Sequence, residues 1–102
     1  MEKFKRNKEC VYLSGPVTGT DDYLDRFAEG ERLWSERGFI VINPAKICAQ
    51  MPLESLYSDY MKVCLELLKL ADSVAMLSNW ERSTGARIER DYALAVGMKV
   101  YY

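Results

Sequence analysis

The amino-acid sequence predicts an α/β domain: a small doubly wound parallel sheet of about four strands, in the order 2-1-3-4, with helices on both faces. Short, apolar, β-rich runs alternate along the chain with longer segments of helical periodicity. Because these runs are apolar on both faces, they are typical of a parallel sheet that helices cover on each side. Right-handed crossovers between such strands produce the doubly wound order.

The first strand and the first helix are marked by the residues at their ends. The run Cys10–Ser14 is short and rich in β-forming residues. Asp21 and Asp22 are good N-caps for a helix that reaches about Arg37, and Gly38 fits the position just beyond its end. The apolar face of this helix includes Gly30, which costs about 1 kcal/mol relative to alanine. A close approach of the helix to the sheet would explain this glycine.

The rest of the chain continues the alternation of strands and helices. Pro44 ends the second strand and opens a loop that runs through Pro52, and Gly97 stops the last helix. No linker or repeat interrupts the pattern, so residues 1–102 are predicted to be one domain. The remaining predicted elements are a strand at Phe39–Asn43, a helix at about Leu53–Leu70, a strand at Ser73–Leu77, a helix at Thr84–Val96 and a strand at Lys99–Tyr102.

Composition and charge exclude several classes of function. The chain has a net charge of −1 and mixes cations with anions, whereas nucleic-acid binding needs a clustered basic face. Basic residues do gather near the N-terminus, where residues 1–9 are predicted to be a flexible, solvated tail. No apolar stretch approaches the length of a membrane span. We therefore expect a cytoplasmic protein that binds neither nucleic acid nor membrane.

The types of residue present also restrict the chemistry. The sequence has no histidine, so acid–base catalysis must rely on Asp, Glu, Tyr or Lys, and the commonest zinc ligand is missing. Its 3 cysteines are odd in number and form no CxxC pair, which favours a reduced, intracellular chain without a disulfide framework. We expect no metal and no cofactor.

The ligand site is expected between the first and third strands, beyond their carboxyl ends, where the strand order reverses. There the loop Gly15–Thr20 should face the loop Ser78–Ser83. In the first loop, Gly15, Pro16 and Gly19 are candidate substrate-binding residues, because two glycines let the backbone approach a ligand closely. An ordinary strand-to-helix connection with a required turn glycine explains the same residues equally well.

The second loop carries more candidates. The start of the following helix offers unpaired amides, and Arg82 could reach a phosphate bound there. Trp80 either covers a flat base or fills a rim position half in the core. The candidate substrate-binding residues of this loop are Asn79, Trp80, Arg82, Ser83 and Gly85, and Arg87 is a further candidate phosphate contact.

Glu89 is the strongest candidate for a catalytic group. It lies about one and a half turns into its helix, near amides and arginines that should favour its ionised form. An ionised carboxylate beside a sugar site is a nucleophile rather than a proton donor. The alternative is an ordinary surface glutamate in an ion-pair network with Arg82, Arg87 or Arg90.

Three segments carry a resemblance to a known family: Val11–Pro16, Ala71–Leu77 and Trp80–Glu89, the last followed by Tyr92-Ala93. In this order they resemble the nucleoside 2-deoxyribosyltransferase family, in particular its short phage and bacterial relatives and the related deoxynucleotide N-hydrolases. The resemblance implies a flavodoxin-like, Rossmann-like fold. It also implies that a 2-deoxyribosyl group passes from a nucleoside or nucleoside monophosphate to a second base or to water.

The resemblance assigns roles to individual residues. Glu89 matches the nucleophile that attacks C1′ of the sugar, and Tyr12 matches a tyrosine that helps to orient this carboxylate. Sites in the family are often completed by a neighbouring subunit, so a homo-oligomer is expected. The residues that match positions holding the sugar or a 5′-phosphate are Gly15, Gly19, Ser83 and Gly85.

One position departs from the family pattern. The family has an aspartate eight residues before the position of Asp72, which helps to protonate the departing base, and here that position is Cys64. Asp59 should face elsewhere, but Tyr60, one turn before Cys64, could donate a hydrogen bond. The departure keeps two alternatives open: a non-catalytic binder of a nucleotide or ADP-ribose-like ligand, and an oligomerising module with a vestigial pocket.

Overall fold

Residues 7–102, the part of the chain that the computed structural model describes, form a four-stranded parallel sheet with apolar cores on both of its faces. The strand order is β2-β1-β3-β4. The strands are β1 (Cys10–Ser14), β2 (Ile40–Ile42), β3 (Ser73–Met76) and β4 (Lys99–Tyr101). The helices are α1 (Tyr23–Glu36), α2 (Pro44–Cys48), α3 (Tyr57–Lys69) and α4 (Thr84–Ala95), with a 3₁₀ turn at Trp80–Arg82.

The sheet confirms the predicted α/β class and the strand order 2-1-3-4. β1 pairs in parallel with both β2 and β3, and β3 pairs in parallel with β4. Successive residues of β1 point to opposite faces. Tyr12 therefore joins the core that contains Leu68 of α3 and Ala93 of α4, whereas Leu13 joins the core that contains Phe27 of α1.

The prediction that strands are apolar on both faces holds for the two central strands. Every residue of β1 and β3 is buried, but β2 and β4 contain only exposed and half-buried residues. The reason is position, because β2 and β4 are the edges of the sheet and have a neighbouring strand on one side only. Both edge strands are also shorter than predicted.

A short helix, α2, lies where the sequence predicts a loop. Asn43 caps it, since its side-chain oxygen accepts the N–H of Lys46 at 3.2 Å. Pro44 occupies the start of the helix, where its missing N–H costs nothing. Pro44 thus starts a helix as well as ending a strand, and only the second role is predicted above.

The next helix, α3, begins at Tyr57 rather than near Leu53. The carboxylate of Asp59 accepts the N–H of Leu56 at 2.8 Å, which closes the first turn and sets the start of the helix. Leu53 is 99% exposed, so it packs against nothing in the core. The apolar spacing in the sequence therefore extends further than the helix.

The glycine in α1 marks the close approach to the sheet that its presence predicts. A Cβ on Gly30 would lie 3.1 Å from Cδ2 of Leu77 and 3.4 Å from Cδ1 of Leu13 on β1. At the other end of the helix, Gly38 adopts a positive φ of 93° and terminates it as expected. Asp22 occupies the N-cap position but makes no side-chain capping hydrogen bond.

Replacing Gly15 with alanine is expected to destabilise the protein by about 1–3 kcal/mol. The new Cβ would lie 2.9 Å from Cβ of Leu77, and a Cβ moves only with its backbone. Thermal melting measures the loss, at about 4–8 °C per kcal/mol for a domain of this size. Gly30→Ala is the matched control, because its closest contacts are with flexible side-chain ends and it gains about 1 kcal/mol in helix propensity. An equal loss in both variants would contradict this account.

Two further predictions concern the N-terminus and the membrane. The predicted basic tail, residues 1–9, falls mainly on residues 1–6, which lie outside the described residues. Within residues 7–102, no helix is both long enough and apolar enough to span a bilayer.

Candidate functional site

A cavity of about 1070 Å³ opens at the carboxyl ends of β1 and β3, where the strand order reverses. The loops that follow these two strands both line it, as the sequence predicts. The other walls come from α1, α2, α3 and the first turns of α4. The cavity therefore lies at the switch point of the sheet.

Of the predicted site residues, Trp80 and Arg87 are the two that do not line this cavity. The predicted residues that the structure brings together are Tyr12, Gly15, Pro16, Gly19, Tyr60, Asn79, Arg82, Ser83, Gly85 and Glu89.

Trp80 takes the rim position rather than a position over a ligand. Its ring packs against the core on the side of α3 and α4 and lies 5.8 Å from the ring of Tyr102. The guanidinium of Arg90 stacks over it, 5.3 Å from the ring centroid. Of the two alternatives for Trp80, the structure favours the rim position beside Tyr102, and a contact with a substrate stays a prediction.

Glu89 lines the cavity although it is only 5% exposed, so its carboxylate is deeply placed. The hydroxyl of Tyr12 donates to one carboxylate oxygen at 2.5 Å, and the hydroxyl of Ser14 donates to the other at 2.7 Å. These hydroxyls come from alternate residues of β1, so the same face of the strand presents both to α4. The alternative of a surface ion-pair network for Glu89 does not hold.

The protonation of Glu89 is governed by burial and by these two hydroxyls. Burial raises the pKa of Glu89 above its ordinary value, while the hydrogen bonds from Tyr12 and Ser14 act to lower it. The expectation that arginines favour the ionised form is wrong for Arg87, whose guanidinium donates to the hydroxyl of Thr84. The hydroxyl donors on β1, rather than cations, stabilise the ionised carboxylate.

Tyr12 is a permanent hydrogen-bond donor in this arrangement. Burial, followed by the charge of Glu89, raises the pKa of Tyr12 well above its ordinary value, so its hydroxyl stays protonated at neutral pH. Ser14 is absent from the predicted site residues. The signal that identifies it is the strand period of two, counted from Tyr12 along a buried strand.

The start of α4 and two arginines bring polar groups to the lining of the cavity. The hydroxyl oxygen of Ser83 caps α4 by accepting a first-turn N–H at 3.1 Å, which leaves its O–H free to donate to a ligand. Arg82 and Arg26 both line the cavity. Arg26 is missing from the predicted set, and its guanidinium donates to the carbonyl of Ser78 in the opposite loop at 2.9 Å. Its position one turn before Gly30 on α1 is the signal that places it on the sheet-facing side.

α2 and α3 form the opposite wall of the cavity. Tyr60 and Cys64 line it one turn apart, while the carboxylate of Asp59 turns back to the backbone before α3. Burial, followed by the charge of Glu89, raises the pKa of Cys64 to about 12, so this residue is a thiol at neutral pH. Cys48 belongs to the unpredicted α2 and also lines the cavity, with its sulfur 3.9 Å from that of Cys64.

The chemistry of the cavity is carried by a carboxylate, several hydroxyls and two guanidinium groups. Within the described part of the chain, no cluster of three or more His, Cys, Asp or Glu side chains is arranged to hold a metal ion.

The fold and the cavity together define a class of protein: a doubly wound α/β domain with a buried, hydroxyl-bonded carboxylate at the switch point. The chain belongs to the family described as "Domain of unknown function (DUF4406)", whose model matches residues 9–102. No curated protein matches the sequence significantly.

Among solved structures, the fold is similar to that of the 2-deoxyribosyltransferase from the psychrotolerant bacterium Bacillus psychrosaccharolyticus. The match has a TM-score of 0.71 and covers 89% of this chain and 69% of that chain, at 20% sequence identity. A likeness at this identity establishes the fold. The resemblance to nucleoside 2-deoxyribosyltransferases is thereby supported at the level of the fold.

Proposed function

We propose that this protein cleaves the N-glycosidic bond of a 2-deoxynucleoside or its 5′-monophosphate and passes the deoxyribosyl group to a second base or to water. The observation that carries the proposal is the buried carboxylate of Glu89, which hydroxyls of Tyr12 and Ser14 hold at the cavity. Burying a carboxylate costs stability, and such groups are concentrated at functional sites. The similarity of fold to a 2-deoxyribosyltransferase adds support.

Glu89 acts as the nucleophile in this proposal. One carboxylate oxygen bonds to C1′ while the C1′–N bond breaks, and the electron pair of that bond leaves with the base, which takes up a proton. Water or a second base then attacks C1′, the C1′–O bond to Glu89 breaks with its electron pair returning to the carboxylate, and the attacking group gives up its proton to solvent. Two successive inversions leave the configuration at C1′ unchanged. Because each carboxylate oxygen has two acceptor sites, the bonds from Tyr12 and Ser14 leave Glu89 free to attack.

Tyr60 is the candidate group for hydrogen bonding to the departing base. It lines the cavity one turn before Cys64. By the resemblance, Cys64 stands at the position where nucleoside 2-deoxyribosyltransferases have an aspartate. A tyrosine is a weaker acid than an aspartic acid. We therefore expect the protein to prefer substrates whose base departs readily.

The direct test is incubation of the protein with deoxynucleosides and their monophosphates, with and without an acceptor base. Chromatography then measures the release of the base or its exchange. The proposal predicts release or exchange by the wild-type protein that depends on Glu89. Absence of both with every substrate, or equal rates after Glu89→Ala, would refute it.

Arg82→Ala is expected to weaken binding of a deoxynucleoside monophosphate by about 10–100-fold, because a charge-assisted hydrogen bond contributes about 1.5–3 kcal/mol. Binding of the unphosphorylated nucleoside should be unchanged, since Arg82 is assigned to the phosphate and lines the cavity next to Ser83, the cap of α4. Titration calorimetry with both ligands measures the difference. Arg87→Ala is the control, because Arg87 bonds within its own segment. Equal losses for both ligands would contradict a phosphate subsite at Arg82.

A second candidate function is non-catalytic binding of a nucleotide or ADP-ribose-like ligand. The observation that favours it is Cys64, which stands where the resemblance to nucleoside 2-deoxyribosyltransferases implies a proton donor. Burial, followed by the charge of Glu89, raises the pKa of this thiol to about 12, so it is a poor acid for a departing base. This candidate predicts nucleotide binding that Ser83→Ala weakens, with no turnover of any bound ligand. Steady turnover would exclude it. If no nucleotide changes the thermal stability, the remaining alternative is an oligomerising module whose pocket is vestigial.

We also propose that the chain works as a homo-oligomer, in the cytoplasm. Leu53, Leu56 and Tyr57 lie next to each other before and at the start of α3, and they are 99%, 67% and 52% exposed. Tyr57 also lines the cavity, so a second subunit docked on these side chains would lie beside the site. Sedimentation equilibrium of the wild type and of Leu53→Ser tests this. A monomeric wild type would refute it.

A further inference from the structure

Two cysteines that are far apart in the sequence meet at the wall of the cavity. Cys48 ends α2, and Cys64 lies in the middle of α3. Their sulfur atoms are 3.9 Å apart, and both residues are free thiols that line the cavity. Cys48 is only 4% exposed, whereas Cys64 is half-buried. The pair therefore forms a dithiol that solvent reaches through the cavity.

We propose that Cys48 and Cys64 form an oxidisable pair, which a small hydroperoxide converts into an intrachain disulfide linking α2 to α3. A disulfide needs a sulfur–sulfur distance of about 2.05 Å, so the two sulfurs must approach by a little under about 2 Å from their positions in the thiol form. Rotation of the two cysteine side chains is the movement that the bond requires. The third cysteine, Cys10, is buried in β1 and is not part of the pair.

The chemistry balances with the hydroperoxide as the only oxidant. The sulfur of Cys64, as thiolate, attacks one peroxide oxygen, the O–O bond breaks, and an alcohol or water leaves after taking up a proton. Cys64 is then a sulfenic acid. The sulfur of Cys48 attacks the sulfur of Cys64, the S–O bond breaks, and the departing hydroxide takes the proton of Cys48 to form water. Two thiols lose two electrons in total, and one O–O bond is reduced.

The surroundings set the order and the pace of these steps. Cys64 is the more exposed residue of the two, so the hydroperoxide should reach it first, while the buried Cys48 resolves the intermediate. The thiolate is the reactive form, and burial, with a further contribution from the charge of Glu89, raises the pKa of both thiols and so opposes their ionisation. Oxidation should therefore be slow at neutral pH and faster as the pH rises. It should also be faster in Glu89→Gln, which removes that negative charge.

The consequence of the bond lies in the walls that it joins. α2 and α3 both line the cavity, and Cys64 packs against the core cluster that contains Tyr12. A disulfide would draw the sulfur of Cys64 towards α2 and fix the distance between the two helices. The pair is thus a place at which an oxidant acts on the cavity itself. The inference holds whether or not the proposed glycosidic activity does.

The test uses the folded wild-type chain and hydrogen peroxide. Unreacted thiols are alkylated after a time course, and the digested peptides are mapped by mass spectrometry. We expect two of the 3 cysteines to lose their alkylation together, a peptide containing residue 48 to appear linked to one containing residue 64, and dithiothreitol to reverse the change. The initial rate of thiol loss in Glu89→Gln should exceed the wild-type rate.

The controls separate this pair from general oxidation. Cys10→Ala should still form the 48–64 link, and Cys48→Ala should leave Cys64 oxidised without a link. Links through Cys10, links only between chains, or oxidation of Cys64 without a bond to Cys48 in the wild type would overturn the proposal. An unchanged rate in Glu89→Gln would contradict attack by Cys64 beside the carboxylate.

Discussion

Glu89→Gln is expected to abolish turnover, with a loss of about 10³-fold or more, while the cavity still binds its ligand. The amide keeps the size and shape of the carboxylate but cannot bond to C1′ as an anionic oxygen. The hydroxyls of Tyr12 and Ser14 can each rotate to donate or accept, so the amide finds partners for both of its ends. Single-turnover assays measure the chemistry, and calorimetry measures the binding.

The same substitution is expected to make the protein more stable at neutral pH. Burial raises the pKa of Glu89 above its ordinary value of 4.5, so the folded state holds a proton there more readily than the unfolded state does. The stabilisation linked to that proton is complete below about pH 4.5 and is lost as the pH rises through the raised pKa. Above the raised pKa the wild type bears a buried charge that Glu89→Gln lacks, and the variant should melt at a higher temperature there.

The control for both effects is Glu81→Gln, which removes a carboxylate from the exposed turn before α4. It should change neither turnover nor the pH dependence of stability. The gain in melting temperature of Glu89→Gln should shrink as the pH falls towards about 4.5, where the wild-type carboxyl is protonated. Full activity of Glu89→Gln would contradict the assigned role. The same holds if the variant melts at a lower temperature than the wild type at about pH 7 and at the same temperature at about pH 4.5.

Tyr12→Phe is expected to lower turnover at neutral pH by about 10–100-fold. This factor corresponds to the loss of one hydrogen bond to a charged group, which contributes about 1.5–3 kcal/mol. The hydroxyl of Tyr12 donates to the ionised carboxylate and so lowers the pKa of Glu89. Without it, burial acts with less opposition and this pKa rises further. Because the nucleophile must be ionised, the acid limb of the rate profile should move to higher pH, and the loss should be greater at pH 6 than at pH 8.

A full pH–rate profile of Tyr12→Phe beside the wild type makes this measurement. Tyr101→Phe is the matched control, since it removes a tyrosine hydroxyl that bonds to Glu9 at 3.0 Å outside the cavity. Its acid limb should coincide with that of the wild type. An acid limb that stays in place or moves to lower pH in Tyr12→Phe would show that this hydroxyl does not stabilise the ionised carboxylate.

The central strands and the position of the site follow directly from local sequence patterns. A buried parallel strand such as β1 is apolar throughout, and strand order then places the cavity at one edge. The partners of Glu89 do not follow in this way. Tyr12 and Ser14 stand 77 and 75 residues away from it, and only folding brings their hydroxyls to one carboxylate. The resemblance names Tyr12, whereas Ser14 follows from the sequence only by counting the strand period of two from Tyr12.

Other parts of the site escaped prediction for reasons that are also physical. Pro44 is compatible both with the end of a strand and with the start of a helix. Only the first of these is predicted from the sequence, and α2 and Cys48 are therefore missed. The indole of Trp80 could pack against several apolar side chains. The spacing of residues in the sequence does not show that it lies beside Tyr102 rather than over the cavity. Arg26 required knowledge of which face of α1 meets the opposite loop.

A crystal structure of the protein with a bound, unreactive analogue of a 2-deoxynucleoside monophosphate tests the central claim most directly. The decisive quantity is the distance from the nearer carboxylate oxygen of Glu89 to C1′ of the sugar. The account predicts about 3–3.5 Å, the separation of a group poised to attack. A sugar bound far beyond that distance, or a ligand that turns its base rather than C1′ towards Glu89, would contradict it.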